Sequence, residues 1–166
     1  MTAHRIQSLA FHLFIAACLT CALCSEAYAE DPWATIGTLQ ERIQTLDDEA
    51  LASMRRLAEP DTMTQHQNWS YDQVSGLEWR LSGTQRDLIG LTISHNLALL
   101  VTDKQLIPHA NGFIEIHRKH VAGGVQSGTQ YTEKMLQRPA DPETSRLLLA
   151  ARDLFREIAE RLEQLK

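Results

Sequence analysis

Apolar residues recur at alternating spacings of three and four through four stretches of the chain, the period of a helix with one buried face. In the first stretch the stripe is Ile36, Leu39, Ile43, Leu46, Ala50 and Leu57, with Met54 alongside. Asp31-Pro32 offers an N-cap followed by proline at the first helical position, where its missing N–H costs nothing. Glu59-Pro60 ends the stretch, because the residue before proline is pushed out of the α region. A helix over about 32–59 is expected.

The second stretch holds the same register from Val74 through Leu77, Leu81, Thr84, Leu88, Leu91, His95 and Ala98 to Thr102. Ser70 with Gln73 reads as a capping box, and Trp69 before it as a staple onto Val74, so the spacing predicts a helix over about 70–103. The third runs over about 108–137, along Ala110, Ile114, His117, Val121, Gly124, Gly128, Tyr131 and Met135. Gly123, Gly124 and Gly128 each cost up to about 1 kcal/mol against alanine, which leaves the continuity of this helix open. Asp141-Pro142 repeats the first entry signal, and Leu148, Ala151, Phe155, Ile158 and Leu162 give a fourth helix over about 142–165. Almost nothing alternates with the period of a strand. Four amphipathic helices with short connections make the expected class all-α, an antiparallel up-down four-helix bundle. A parallel dimeric coiled coil of the longer helices is the alternative.

The head of the chain changes the picture of where this bundle works. His4 and Arg5 precede an apolar run from Leu9 to Cys24, and Ala27-Tyr28-Ala29 has the small-x-small form that signal peptidase accepts. The expected division is a cleavable signal peptide over 1–29 and a helical domain over 30–166, periplasmic or secreted, with no stable membrane insertion after cleavage. Ile15-Ala16-Ala17-Cys18 resembles a lipobox, so an anchor through Cys18 is the second reading. Cys18, Cys21 and Cys24 are the three cysteines, and all would leave with the signal. Packing alone must then hold the fold. The net charge is −5 with no dense Lys/Arg cluster, which argues against nucleic acid as a partner.

Candidate chemistry is confined to histidine. His95 and His117 occupy seam positions, each 11 residues from a turn placed near residue 106, and His120 follows one helical turn later. That spacing predicts that His95 and His117 face each other. Converging imidazoles can hold a transition metal or a b-type haem, so His95, His117 and His120 form the candidate metal site. The structural alternative is a partly buried imidazole bonded to a carbonyl or carboxylate. Gly76, Gly83 and Gly90 stand seven apart along one stripe, which suggests close helix contact. Trp79 lies off the seam and is a candidate exposed anchor.

No Gly-x-Ser-x-Gly, His-Glu-x-x-His or phosphate-loop pattern is present, and no catalytic residue or cofactor is expected. The expected function is a non-enzymatic accessory, adaptor or chaperone-like binding protein with a protein partner, and a homodimer is conceivable. The alternative is a small metal- or haem-binding bundle.

Overall fold

The computed structural model describes residues 32–59, 64–138 and 140–165. The expected signal segment and Cys18 lie outside the described residues. Four helices make up the described chain, with no strand among the described residues: α1, Pro32–Ala58; α2, Gln65–Leu99; α3, Ile107–Leu136; and α4, Pro142–Gln164. The class is therefore all-α with four helices.

The start of α2 corrects the sequence reading. Thr64 is the N-cap: its Oγ1 accepts the Gln67 N–H at 3.2 Å, and Gln67 Oε1 accepts the Thr64 N–H at 2.9 Å. Thr64-x-x-Gln67 and Ser70-x-x-Gln73 both match the capping box, and the earlier one is used. Ser70 and Gln73 lie inside the helix and are buried. Trp69 therefore sits in the second turn, where the Arg138 guanidinium lies 4.8 Å from its ring.

The far end is also shorter than expected, stopping at Leu99 rather than near 103. Val101 and Thr102, both β-branched, lower the helical preference there. Asp103 then builds the turn, its carboxylate accepting the Gln105 N–H at 2.8 Å and its carbonyl the Leu106 N–H at 3.0 Å.

Helix α3 runs unbroken through its glycines, and no glycine among the described residues has positive φ. Packing explains two of them. A Cβ on Gly128 would stand 2.5 Å from the Phe155 ring, and one on Gly124 would stand 3.2 Å from Thr84 Oγ1. Entry into α4 follows the sequence: Asp141 Oδ1 accepts the N–H groups of Glu143 and Thr144, both at 3.0 Å, and Thr144 Oγ1 donates to Oδ2 at 2.6 Å. Burial pushes the Asp141 carboxyl up, yet the bonds from Thr144 and Glu143 outweigh it and hold the group below the usual carboxylate range.

The seams close on a core of Ile36, Leu39 and Ile43 from α1, Leu77, Leu81 and Leu88 from α2, Val121 and Val125 from α3, and Leu148, Phe155 and Ile158 from α4. Cross-helix bonds fix neighbours and register. Gln40 reaches Thr92 at 2.8 Å, and Gln44 meets Gln85. Arg42 pairs with Glu157 at 2.7 Å, Glu49 with Arg146 at 2.8 Å, and Arg56 with Glu143. In both series the numbers rise on α1 as they fall on its neighbour.

Candidate functional site

The α2–α3 seam is written in glycine. Gly76 receives Tyr131, whose Oη would stand 2.2 Å from a Cβ there, and Gly90 receives His117, whose Nδ1 would stand 2.8 Å away. Gly124 meets Thr84 between them. Steps of 14 on α2 match steps of 14 on α3 in reverse, so the Gly76–Tyr131 and Gly90–His117 pairs are both centred between Asp103 and Lys104. The stripe inferred from Gly76, Gly83 and Gly90 is thus a contact face at two of its three positions. Gly83 is open, with nothing within 4 Å of its Cβ direction.

That register moves the histidines apart. A turn near residue 106 would have set His117 opposite His95. The centre lies about two and a half residues earlier, so His117 comes down on Gly90 instead. His95 is five residues farther along α2, about 7.5 Å up and roughly 140° around the helix. Its ring stacks on Trp33 of α1, with centroids 3.6 Å apart and planes 9° from parallel. His117 and His120 do meet, edge to face at 6.1 Å. Among the described residues no three His, Cys, Asp or Glu side chains form a group that could hold a metal ion.

The two faces of the hairpin's far half differ sharply. One face carries Trp33, His95, Asn111, Ile114, Arg118 and Leu165 around a recess of mixed polar and apolar lining, where the N-terminal end of α1 and the C-terminal end of α4 sit against it. Glu115 lines the same recess, and the Arg118 guanidinium, bonded at 2.8 Å, holds its carboxyl below the usual range. The other face is an apolar groove of about 480 Å³. Its floor is made of small or half-buried residues, Gly90, Ser94, Ala98 and Ala110. Ile93, Leu97, Leu106 and Phe113 stand along it with 53%, 59%, 53% and 60% of their surfaces exposed. Ile89, Leu100 and Ile116 continue the exposed apolar rows at its edges.

Sequence reasoning missed this face because it followed only the buried seam. The signal was present in two forms. Ile89, Ile93 and Leu97 repeat every four residues beside the seam, and from Leu88 to Ile114 the only formal charges are Asp103 and Lys104. A solvated helical hairpin ordinarily carries charges on its outer positions.

Polar groups inside the helices make a second, structural set. Tyr131 Oη donates to the Gln73 carbonyl at 2.8 Å, and burial pushes this phenol up. Arg80 covers the Tyr131 ring at 3.9 Å and donates to the Gly76 carbonyl at 2.7 Å. Trp79 is exposed, as its off-seam position suggested. Asp47 is the exception: only 6% of it is exposed, and its Oδ1 has no hydrogen-bond partner. Burial, then Glu78 and Asp48 nearby, raise its carboxyl to about 6.

No described helix is long and apolar enough to cross a membrane. Comparison of the chain with protein-family models, with curated proteins and with solved structures finds no match.

Proposed function

We propose that the mature chain is an exported, non-enzymatic, antiparallel up-down four-helix bundle that works as a periplasmic accessory or adaptor. Its contact surface is the outer face of the α2–α3 hairpin. One observation carries this reading: a continuous row of large apolar side chains stands exposed on an ordered helical face, flanking a groove with an apolar lining. Patches of this kind on folded chains mark interaction sites, because leaving them in water forgoes about 25 cal/mol for each Å². The up-down topology is supported by the reversed registers of α1 with α2, α1 with α4 and α2 with α3. Export rests on the Leu9–Cys24 run and Ala27-Tyr28-Ala29.

The test is a photoreactive residue at Phe113 in cells expressing the chain. Adducts are expected at Phe113 and not at the exposed Asp153 position on α4. Equal labelling at the two positions, or none at either, overturns the contact surface. N-terminal sequencing should give Glu30-Asp31-Pro32, and an intact Met1 end or a lipidated Cys18 overturns cleavage after Ala29.

A further inference from the structure

We infer that His117 and His120 of α3 form a two-imidazole site for one exchangeable divalent transition-metal ion, copper(II) above all, beside Gly90 on the α2–α3 seam. The inference stands apart from the reading of the hairpin as a contact surface.

Spacing and geometry bring the two rings together. Residues three apart on a helix share a face, and paired ligands at that spacing hold metals in helical bundles. The centroids of the two rings lie 6.1 Å apart, with planes 86° from parallel. Two imidazoles on one ion, at metal–nitrogen distances of about 2.0–2.1 Å, bring their centroids to about 5 Å. A side-chain rotation closes that gap without moving the helix. His120 is exposed and His117 half-buried, so the ion arrives directly from water. Gly90 fixes one of the two rings: a Cβ there would stand 2.8 Å from His117 Nδ1 and 2.9 Å from Cε1. No hydrogen bond or ion pair engages either imidazole among the described residues.

The local charges suit a cation. Arg118 and Lys119 lie between the histidines in sequence, but both are held by Glu115, at 2.8 and 3.6 Å. All three line a cleft on the α4 side of α3, whereas His117 faces Gly90 of α2. The register that sets His117 on Gly90 also sets Asp87 at the height of His120, one turn along each helix. Asp87 forms no ion pair among the described residues, and its Oδ2 lies 3.7 Å from the Cβ position of Gly124. A carboxylate therefore flanks the histidines from α2.

The donor set names the ion. Two neutral nitrogen ligands favour copper(II) over nickel(II) and zinc(II). No third His, Cys, Asp or Glu side chain is assembled with them, so water fills the remaining positions and the ion exchanges. His95, stacked on Trp33, takes no part.

The test is calorimetric titration of the untagged chain, as recovered from the expressing cell, with copper(II) chloride in a buffer that does not bind metals. One ion per chain should bind, with a Kd on the order of micromolar. His117→Ala and His120→Ala should each weaken binding at least tenfold while the helical circular dichroism stays as it was. His66→Ala, at the start of α2, should leave binding unchanged. The electron paramagnetic resonance spectrum of the copper(II) form should show coupling to two imidazole nitrogens. A chain that binds no copper(II) up to about 1 mM overturns the inference. So does a smaller loss in either histidine variant, an equal loss with His66→Ala, or coupling to fewer than two imidazoles.

Discussion

Two stretches of surface, the α1–α4 seam and the far half of the α2–α3 hairpin, are finished in opposite ways. Along α1–α4 the buried stripe is edged by Arg42–Glu157, Glu49–Arg146 and Arg56–Glu143, so the apolar contact ends in charge and water. Along the hairpin the buried stripe of Leu88 and Leu91 is followed on the next positions by more hydrophobics, Ile89 and Ile93, 44% and 53% exposed. The first surface is complete in water. The second is not, and the difference between them separates a solvent face from the proposed contact face more clearly than hydrophobicity alone.

The sharpest way to break this contrast is to put the same charge on each side of one helix. Leu88 is fully buried, so Leu88→Asp buries a carboxylate without a partner and should cost more than about 4 kcal/mol, enough to unfold a marginally stable domain. Leu97→Asp, nine residues farther along α2 on the exposed row, should change monomer stability by less than about 0.5 kcal/mol. Thermal melts at low protein concentration measure both. Equal losses would mean that the hairpin's far face is part of the core.

Asp47 gives the next largest effect and runs against intuition. Its folded carboxyl titrates at about 6, above the ordinary value of 3.8. Between those values the folded chain binds the proton more tightly than the unfolded chain does. Stability is therefore fully present below pH 4 as far as this group is concerned, and it falls as pH rises through 6. Asp141 works in the opposite sense: its carboxyl is lowered, so its contribution is present above the unfolded value and is lost in acid. Asp47→Asn should stabilise the fold at pH 7 by on the order of 1–3 kcal/mol and flatten the decline between pH 4 and 6. An unchanged melting temperature at pH 7 would show that water reaches the Asp47 carboxylate.

The glycines sharpen the comparison within a single helix. Gly76→Ala must displace Tyr131, whose hydroxyl is tied to the Gln73 carbonyl, and should destabilise by about 1–3 kcal/mol. Gly83→Ala, seven residues on and facing open space, should stabilise by up to about 1 kcal/mol through helix propensity. Denaturant titration should give opposite signs, and matching signs would mean that the α2–α3 register is misplaced.

How far all this was legible in the sequence varies by element. Both ends of α4 and the apolar stripe of α1 from Ile36 to Ala50 could be read because one local signal, Asp-Pro or a three-four repeat, decided each without competition. The burial of Asp47 and Ser53 on the same helix could not, since polar residues carry no such signal. The start of α2 could not, since two capping boxes stand six residues apart and nothing local chooses between Thr64 and Ser70. The end of α2 carried the larger consequence. Placing the turn near 106 rather than between Asp103 and Lys104 shifted the α2–α3 register by five residues, and with it the partner of His117. Side-chain facing across a hairpin multiplies a small error in the turn, because every residue of shift rotates the partner by about 100°. Trp33, the ring on which His95 stacks, was unreadable for another reason: it comes from a helix whose height against α2 is set by tertiary packing.

The smallest expected effect lies on the finished surface itself. Arg42, Glu49, Arg56, Glu143 and Arg146 are all more than two-fifths exposed, so their pairs form in a high-dielectric, screened setting. Each pays side-chain entropy to hold two flexible arms together. Glu49→Gln should therefore cost less than about 1 kcal/mol, and most of that should vanish at molar salt, where the screening length falls to about 3 Å. The charge reversal Arg146→Glu is the more telling change, since it sets two carboxylates against each other at the position of the 2.8 Å contact. Its cost should exceed that of Glu49→Gln and should be recovered by the exchange Glu49→Arg with Arg146→Glu. If neutralisation instead costs several kcal/mol at high salt, the pair is part of what holds α1 to α4, and charge along that seam does more than end it.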